Sequence, residues 1–114
     1  MVIPFIFKHS RIPRLFSWAF NVEAIALFPF IFVRGEGNKT ILRHEMIHIR
    51  QQFETAIVGF YLIYLFDFII SLWKYKNFID AYKSIRFERE AYTNQYDEHY
   101  LKYRPAYAWR KYKL

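Results

Sequence analysis

The apolar positions of this chain change their spacing from one stretch to the next, and each spacing predicts a different element. Asn21 to Val33 (NVEAIALFPFIFV) is rich in the Ile, Phe and Val that suit a pleated strand, and Glu23 and Pro29 interrupt it too often for a bilayer span. It predicts extended strand. Because Pro29 cannot donate a ladder hydrogen bond, part of that strand belongs at a sheet edge or a bulge. Arg34 to Asn38 (RGEGN) supplies the glycines and the asparagine of a turn. Thr40 is then placed to cap a helix. In it Ile41, Leu42, Met46, Ile49 and Phe53 recur at helical rather than alternating spacing as far as Glu54.

Ala56 to Trp73 (AIVGFYLIYLFDFIISLW) is nearly all apolar, interrupted by Gly59, Asp67 and Ser71. A helix unbroken from Thr40 to Trp73 would be roughly 50 Å long at about 1.5 Å per residue, too long for a compact domain of this size. A break between Thr55 and Gly59 is therefore expected. The stretch reaches the lower end of the roughly 17 to 25 residues that cross a bilayer. Asp67 near its middle is costly in lipid, so the expectation is a buried core helix, with a membrane-inserted or membrane-lying helix as the alternative. Lys74 to Lys83 reads as a mixed polar connector with some helical pattern. Ser84 then caps a helix from Ile85 to about Arg104, which Pro105 ends. The tail from Ala106 alternates aromatics with Arg110, Lys111 and Lys113. The whole predicts one small α+β domain over residues 1 to 114, mostly helical, with a short strand or small sheet before the first long helix.

Composition narrows the classes. A chain of 114 residues fits one domain. A hydrophobic share of 54% and an aromatic share of 23% exclude intrinsic disorder and imply that more than a minimal core is covered or contacted. Seventeen Lys and Arg against ten Asp and Glu give a formal charge of +7, which favours anionic surfaces such as lipid headgroups or nucleic acid. The absence of cysteine excludes a disulfide framework, a thiol nucleophile and a Cys-based zinc ribbon, so any metal must be held by His and carboxylate. Lys8, His9 and Arg11 follow the N-terminal apolar run instead of preceding it, the reverse of a secretory signal. The expected localisation is cytoplasmic, with membrane association left open.

The candidate chemistry lies on the first long helix, in His44-Glu45-Met46-Ile47-His48. Residues four apart share a helix face, so His44 and His48 can present two imidazole nitrogens to one metal ion. Glu45 is rotated by about 100° from His44 and can reach a metal-bound water instead of the metal. Zinc lowers the pKa of such a water to near neutrality, and Glu45 would take its proton as general base and hand it to the leaving group. A third ligand is required. The chain does not resemble the metzincins, in which a glycine three residues after the second His turns the chain toward a third ligand at the sixth: Gln51 and Glu54 stand at those positions, and on a continuing helix Glu54 points away.

The motif is that of zincins, and Arg86 to Tyr92 (RFEREAY) resembles the glutamate helix of gluzincins, the zincin metallopeptidases in which a second helix brings a carboxylate to the zinc. In the membrane-integral gluzincins related to the CAAX prenyl protease, that glutamate lies three residues before an Ala-Asp pair. Glu88 holds this place before Ala91, with Tyr92 where the family has Asp, and Glu90 is the rival. The chain length is similar to that of minigluzincins. The resemblance covers the two motif segments and the order of elements. It implies a zinc-dependent hydrolase acting on a peptide or protein substrate, with His44, His48 and Glu88 as metal ligands. It also implies that the strand before the motif helix receives the substrate as an added strand, for which Asn21 to Val33 is placed.

Beyond the ligands, Tyr92, Gln95 and His99 fall near the face of Glu88, and Tyr92 or His99 is a candidate donor to a developing oxyanion. Gln51 and Gln52 are candidates to orient a histidine. A competing function is a non-catalytic protein on a zincin scaffold that binds anionic membrane or nucleic acid through its basic aromatic tail from Tyr103 to Leu114. For the peptidase reading no nucleic acid is expected.

Overall fold

The computed structural model describes residues 4–15 and 23–114. The chain runs β1 (Phe5–Phe7), α1 (Ile12–Leu15), β2 (Ala24–Leu27), β3 (Phe30–Val33), α2 (Lys39–Glu54), α3 (Val58–Tyr75), α4 (Phe78–Ser84), α5 (Arg86–Asn94), α6 (Tyr100–Tyr103) and a final 3₁₀ turn, Ala108–Lys111. This is the small α+β domain expected, helices following a three-stranded sheet of order β1-β3-β2.

The single strand expected over Asn21 to Val33 is instead a hairpin, and its first two residues lie outside the described part. Phe28 and Pro29 form the turn, joined by a cis peptide bond. Leu27 pairs with Phe30 and Ala24 with Val33 across the antiparallel ladder. Pro29 thus sits in the turn, and β3 becomes the central strand, with β1 parallel on its other side from Phe5–Phe30 to Phe7–Phe32. One face of β2 and β3 presents Ala26, Ile31 and Val33 to Ile49 of α2, flanked by Leu42 and Met46. Each buried Ile or Val there contributes roughly 1.5–3 kcal/mol through removal from water.

The turn into α2 passes through Gly37 at φ +71°, where a Cβ would also meet Val33 Cγ1 at 2.7 Å. Only glycine fits both constraints. Helix α2 begins two residues earlier than expected. Asn38, not Thr40, caps it, its side-chain oxygen accepting from the Ile41 N–H at 2.9 Å. The predicted break is present, but Gly59 takes no part in it. Ala56 and Ile57 both adopt positive φ, 57° and 68°, and the Val58 N–H donates to the Ala56 carbonyl at 2.7 Å. This is a γ-turn at a β-branched residue.

The connector after Lys74 contains a helix of its own, α4, capped by the Asn77 side chain on the Asp80 N–H at 3.0 Å. Ser84 ends α4 instead of capping the next helix. The helix expected from Ile85 to Arg104 is two helices, because local bonds interrupt it. Asp97 accepts from the His99 N–H at 2.9 Å in a turn that leads into α6. Arg104 is extended ahead of Pro105, which closes α6 as expected.

Helix α3 departs most from its expected role. A stripe including Phe60, Ile63, Tyr64 and Phe68 packs inward with Ile85, Phe87 and Trp109. Asp67 on the same stripe is fully buried and takes three hydrogen bonds from Arg86, at 2.8, 2.9 and 3.1 Å. The opposite stripe, with Leu62, Phe66 and Trp73, is exposed. The helix is therefore a core helix on one side only.

Candidate metal centre

Helices α2 and α5 pack against each other and bring His44 and His48 to Glu88, forty residues and more away in sequence. His44 Nε2 lies 3.0 Å and His48 Nε2 3.1 Å from the same oxygen, Glu88 Oε1, and the two nitrogens are 3.1 Å apart. All three residues are buried. Nearly equal sides make this triangle a converging site instead of a chain of pairs.

The outer nitrogens decide what the inner ones carry. His48 Nδ1 is 2.7 Å from Gln51 Oε1. The amide of Gln51 cannot be reversed, because its nitrogen donates to the Phe87 carbonyl and to Glu90 Oε1, both at 3.0 Å. His48 Nδ1 therefore carries hydrogen, and in the neutral ring Nε2 is a bare lone pair. His44 Nδ1 lies 2.7 Å from Gln95 Oε1, and with hydrogen on that nitrogen its Nε2 also faces inward bare. Two imidazole lone pairs and a carboxylate oxygen then face one another at contact distance, which is repulsive unless something positive lies between them.

A single proton on His48 can serve one edge of the triangle. A metal ion bonded to all three atoms serves every edge. Zinc bonds of about 2.0–2.1 Å in a tetrahedron place neighbouring ligand atoms about 3.3–3.4 Å apart, a few tenths of an ångström wider than these sides. The donor set of two nitrogens and one oxygen fits zinc.

Glu45 stands beside the triangle without joining it. Its carboxylate is 4.0 Å from His44 Nε2, and one ligand atom from each of His44, Glu45 and His48 lies within 4.8 Å of the others. Burial raises its pKa, opposed by the charges of His48 and His44 and reinforced by that of Glu88.

The remaining candidates sort by contact. Glu88 keeps its second oxygen for the Tyr64 hydroxyl, which donates at 2.7 Å from α3. Glu90 faces away, with Arg104 Nε at 2.5 Å and the Tyr100 hydroxyl at 2.7 Å. Glu54 is paired with Arg104 at 2.8 and 2.9 Å, consistent with its exclusion as a ligand. Tyr92 packs its ring on His44, centroids 4.5 Å apart, and its hydroxyl donates to that of Tyr82 at 3.2 Å. His99 is exposed in the turn before α6. Gln51 orients His48, whereas Gln52 binds the hairpin, donating to the Ala26 carbonyl at 2.8 Å and accepting from the Phe28 N–H at 2.7 Å.

Those last bonds bear on the substrate strand. A two-residue turn makes Leu27–Phe30 a hydrogen-bonded pair, so Ala26 directs its N–H and carbonyl away from β3. Gln52 occupies the carbonyl, so the expected docking edge is partly covered at Ala26. The tail also differs from a free basic arm. Trp109 is buried against Phe87, centroids 4.8 Å apart, and Tyr112 accepts from Asn94 at 3.0 Å.

Sequence reasoning missed Tyr64 and the role of Gln95 against His44. Tyr64 carried a signal, because Tyr64, Asp67 and Ser71 form a polar stripe at spacings of three and four along an apolar helix. The contact of Gln95 with His44 carried none. No family model, curated protein or solved structure matches the chain.

Proposed function

We propose that this protein is a zinc-dependent hydrolase of peptide bonds, in which His44, His48 and Glu88 hold the metal and Glu45 is the general base. One observation carries the reading: two imidazole nitrogens and a carboxylate oxygen converge at 3.0–3.1 Å, with a second buried carboxylate alongside. Zinc, when bound, supplies a Lewis acid that polarises a carbonyl and lowers the pKa of water.

The chain's own residues supply the rest. Gln51 and Gln95 hold each imidazole with Nε2 inward, and Tyr64 holds the Glu88 carboxylate so that its other oxygen stays on the triangle. Glu45, with its proton affinity increased by burial, accepts a proton from the attacking water and passes it to the leaving nitrogen. Tyr92, seated on His44 with its hydroxyl on that of Tyr82, is a candidate donor to the developing oxyanion, and burial keeps its hydroxyl protonated.

Metal analysis of purified, zinc-loaded protein should find one zinc per chain, lost in His44→Ala and His48→Ala. Glu45→Gln should keep the zinc and lower cleavage of a peptide library by about 10²–10⁴-fold. A chain without stoichiometric zinc, or a Glu45→Gln variant with undiminished cleavage, would overturn the proposal.

A further inference from the structure

Helix α3 is built inside out. Its polar residues Tyr64, Asp67 and Ser71 face the protein, while Leu62, Leu65, Phe66, Ile69 and Trp73, at the spacing of one helix face, are 65%, 56%, 57%, 55% and 81% exposed. A continuous apolar stripe of this length marks an interaction surface on a molecule measuring 34 × 32 × 26 Å. It carries no charge until its end, where Ile70, Trp73, Lys74 and Lys76 line an open depression of about 400 Å³.

Those two cations identify the occupant. Among the described residues Lys74 and Lys76 have no acidic partner, every carboxylate in an ion pair being bound to another cation or histidine. An apolar bed ending in Trp73 with two ammonium groups that lack an acidic partner beside it matches acyl chains ending in anionic headgroups, and the chain's charge of +7 acts in the same direction.

We infer that α3 seats the protein on an anionic lipid bilayer, lying in the plane of the interface with Leu62, Leu65, Phe66 and Ile69 among the acyl chains and Lys74 and Lys76 at lipid phosphates. The helix has the length and apolarity of a span, but its inner stripe holds Arg86 through Asp67 and Glu88 through Tyr64. Crossing the bilayer would carry α4, with its exposed Asp80 and Lys83, into hydrocarbon, where charges are costly. Lying flat leaves them in water and keeps the metal centre on the opposite side of the helix.

The full chain should co-float with vesicles of equal parts phosphatidylcholine and phosphatidylglycerol and be released by alkaline carbonate. Leu65→Asp/Ile69→Asp, on exposed positions, should abolish flotation while keeping the helical circular dichroism of the parent. Lys74→Gln/Lys76→Gln should weaken partitioning about thirtyfold on these vesicles and little on pure phosphatidylcholine. Three results would overturn the inference: no flotation of the parent, resistance to carbonate as for a spanning helix, or a solution dimer that Leu65→Asp/Ile69→Asp dissociates, which would assign the stripe to a second copy. None of these depends on zinc or on cleavage.

Discussion

Gln51 shows how much one side chain can settle. It is fully buried, and its two polar ends serve different masters: the oxygen fixes the tautomer of His48, and the nitrogen joins the Phe87 carbonyl to Glu90. Gln51→Leu frees the His48 ring and leaves buried partners unpaired. It should weaken zinc binding by about 10–100-fold and cost about 1–3 kcal/mol of stability, read by competition with a chromophoric chelator and by urea unfolding. The same triangle predicts a pH dependence in the metal-free chain. Burial alone would pull the His48 imidazole down, but the charge and hydrogen bond of Glu88 outweigh it and lift the pKa from 6.5 to about 9. Glu88 is likewise lifted by burial, but the His48 charge and the hydrogen bonds from His44 and His48 hold it well below its ordinary 4.5. The His48 contribution to stability is complete below pH 6.5 and is lost as pH rises through about 9; that of Glu88 is complete above 4.5 and is lost as pH falls. Chelator-treated protein should therefore be most stable between these limits and lose stability toward pH 9. Zinc-loaded protein should reverse the alkaline trend, because the metal displaces the His48 proton and binds more tightly as pH rises. Urea midpoints across that pH range, with and without zinc, check both signs.

At the scale of elements, the corner between α2 and α3 carries the clearest local cost. Ile57, at φ 68° and ψ −62°, holds a conformation that a β-branched side chain opposes. Ile57→Gly should raise stability by about 1 kcal/mol, strain relief outweighing the added freedom of the unfolded chain, and thermal unfolding of the two proteins would show the difference. Whether the strain could be foreseen separates what the sequence discloses from what it does not. The break itself was legible, since an unbroken helix would outrun the domain, but its mechanism was not: Gly59 was the obvious hinge and lies inside α3. The pairing of His44 with His48 was legible from helical spacing, and Glu88 from the glutamate helix it resembles. Gln95 was not, because its meeting with His44 depends on how α5 lies across α2. The hairpin at Phe28–Pro29 was hidden by apolar residues on both sides of the turn. That α3 is buried on one side only was not legible from composition, which cannot tell which stripe faces inward, although the spacing of Tyr64, Asp67 and Ser71 held the answer.

The molecule as a whole is locked near its chain ends by a cation instead of a disulfide. Arg104, after α6, donates to Glu54 at the end of α2 and to Glu90 on α5, with its side chain 2% exposed. Glu54 also accepts from the Tyr107 N–H at 2.8 Å, and Glu90 from the Tyr100 hydroxyl and the Gln51 amide. One guanidinium thus offsets two carboxylates that hold three elements together, and Gln51 connects the group to His48. Removing the cation alone leaves two charges in a poorly hydrated place with no partner, so Arg104→Met should cost about 3–5 kcal/mol. Adding Glu54→Gln and Glu90→Gln removes the uncompensated charges while keeping hydrogen-bonding shape, and should recover much of the loss. Urea unfolding of the single and triple variants separates the explanations: an Arg104 that serves only as packing would leave both equally destabilised, whereas an electrostatic lock makes the triple variant the more stable. Zinc affinity should follow the same order, since the Gln51 amide that positions His48 is held by Glu90.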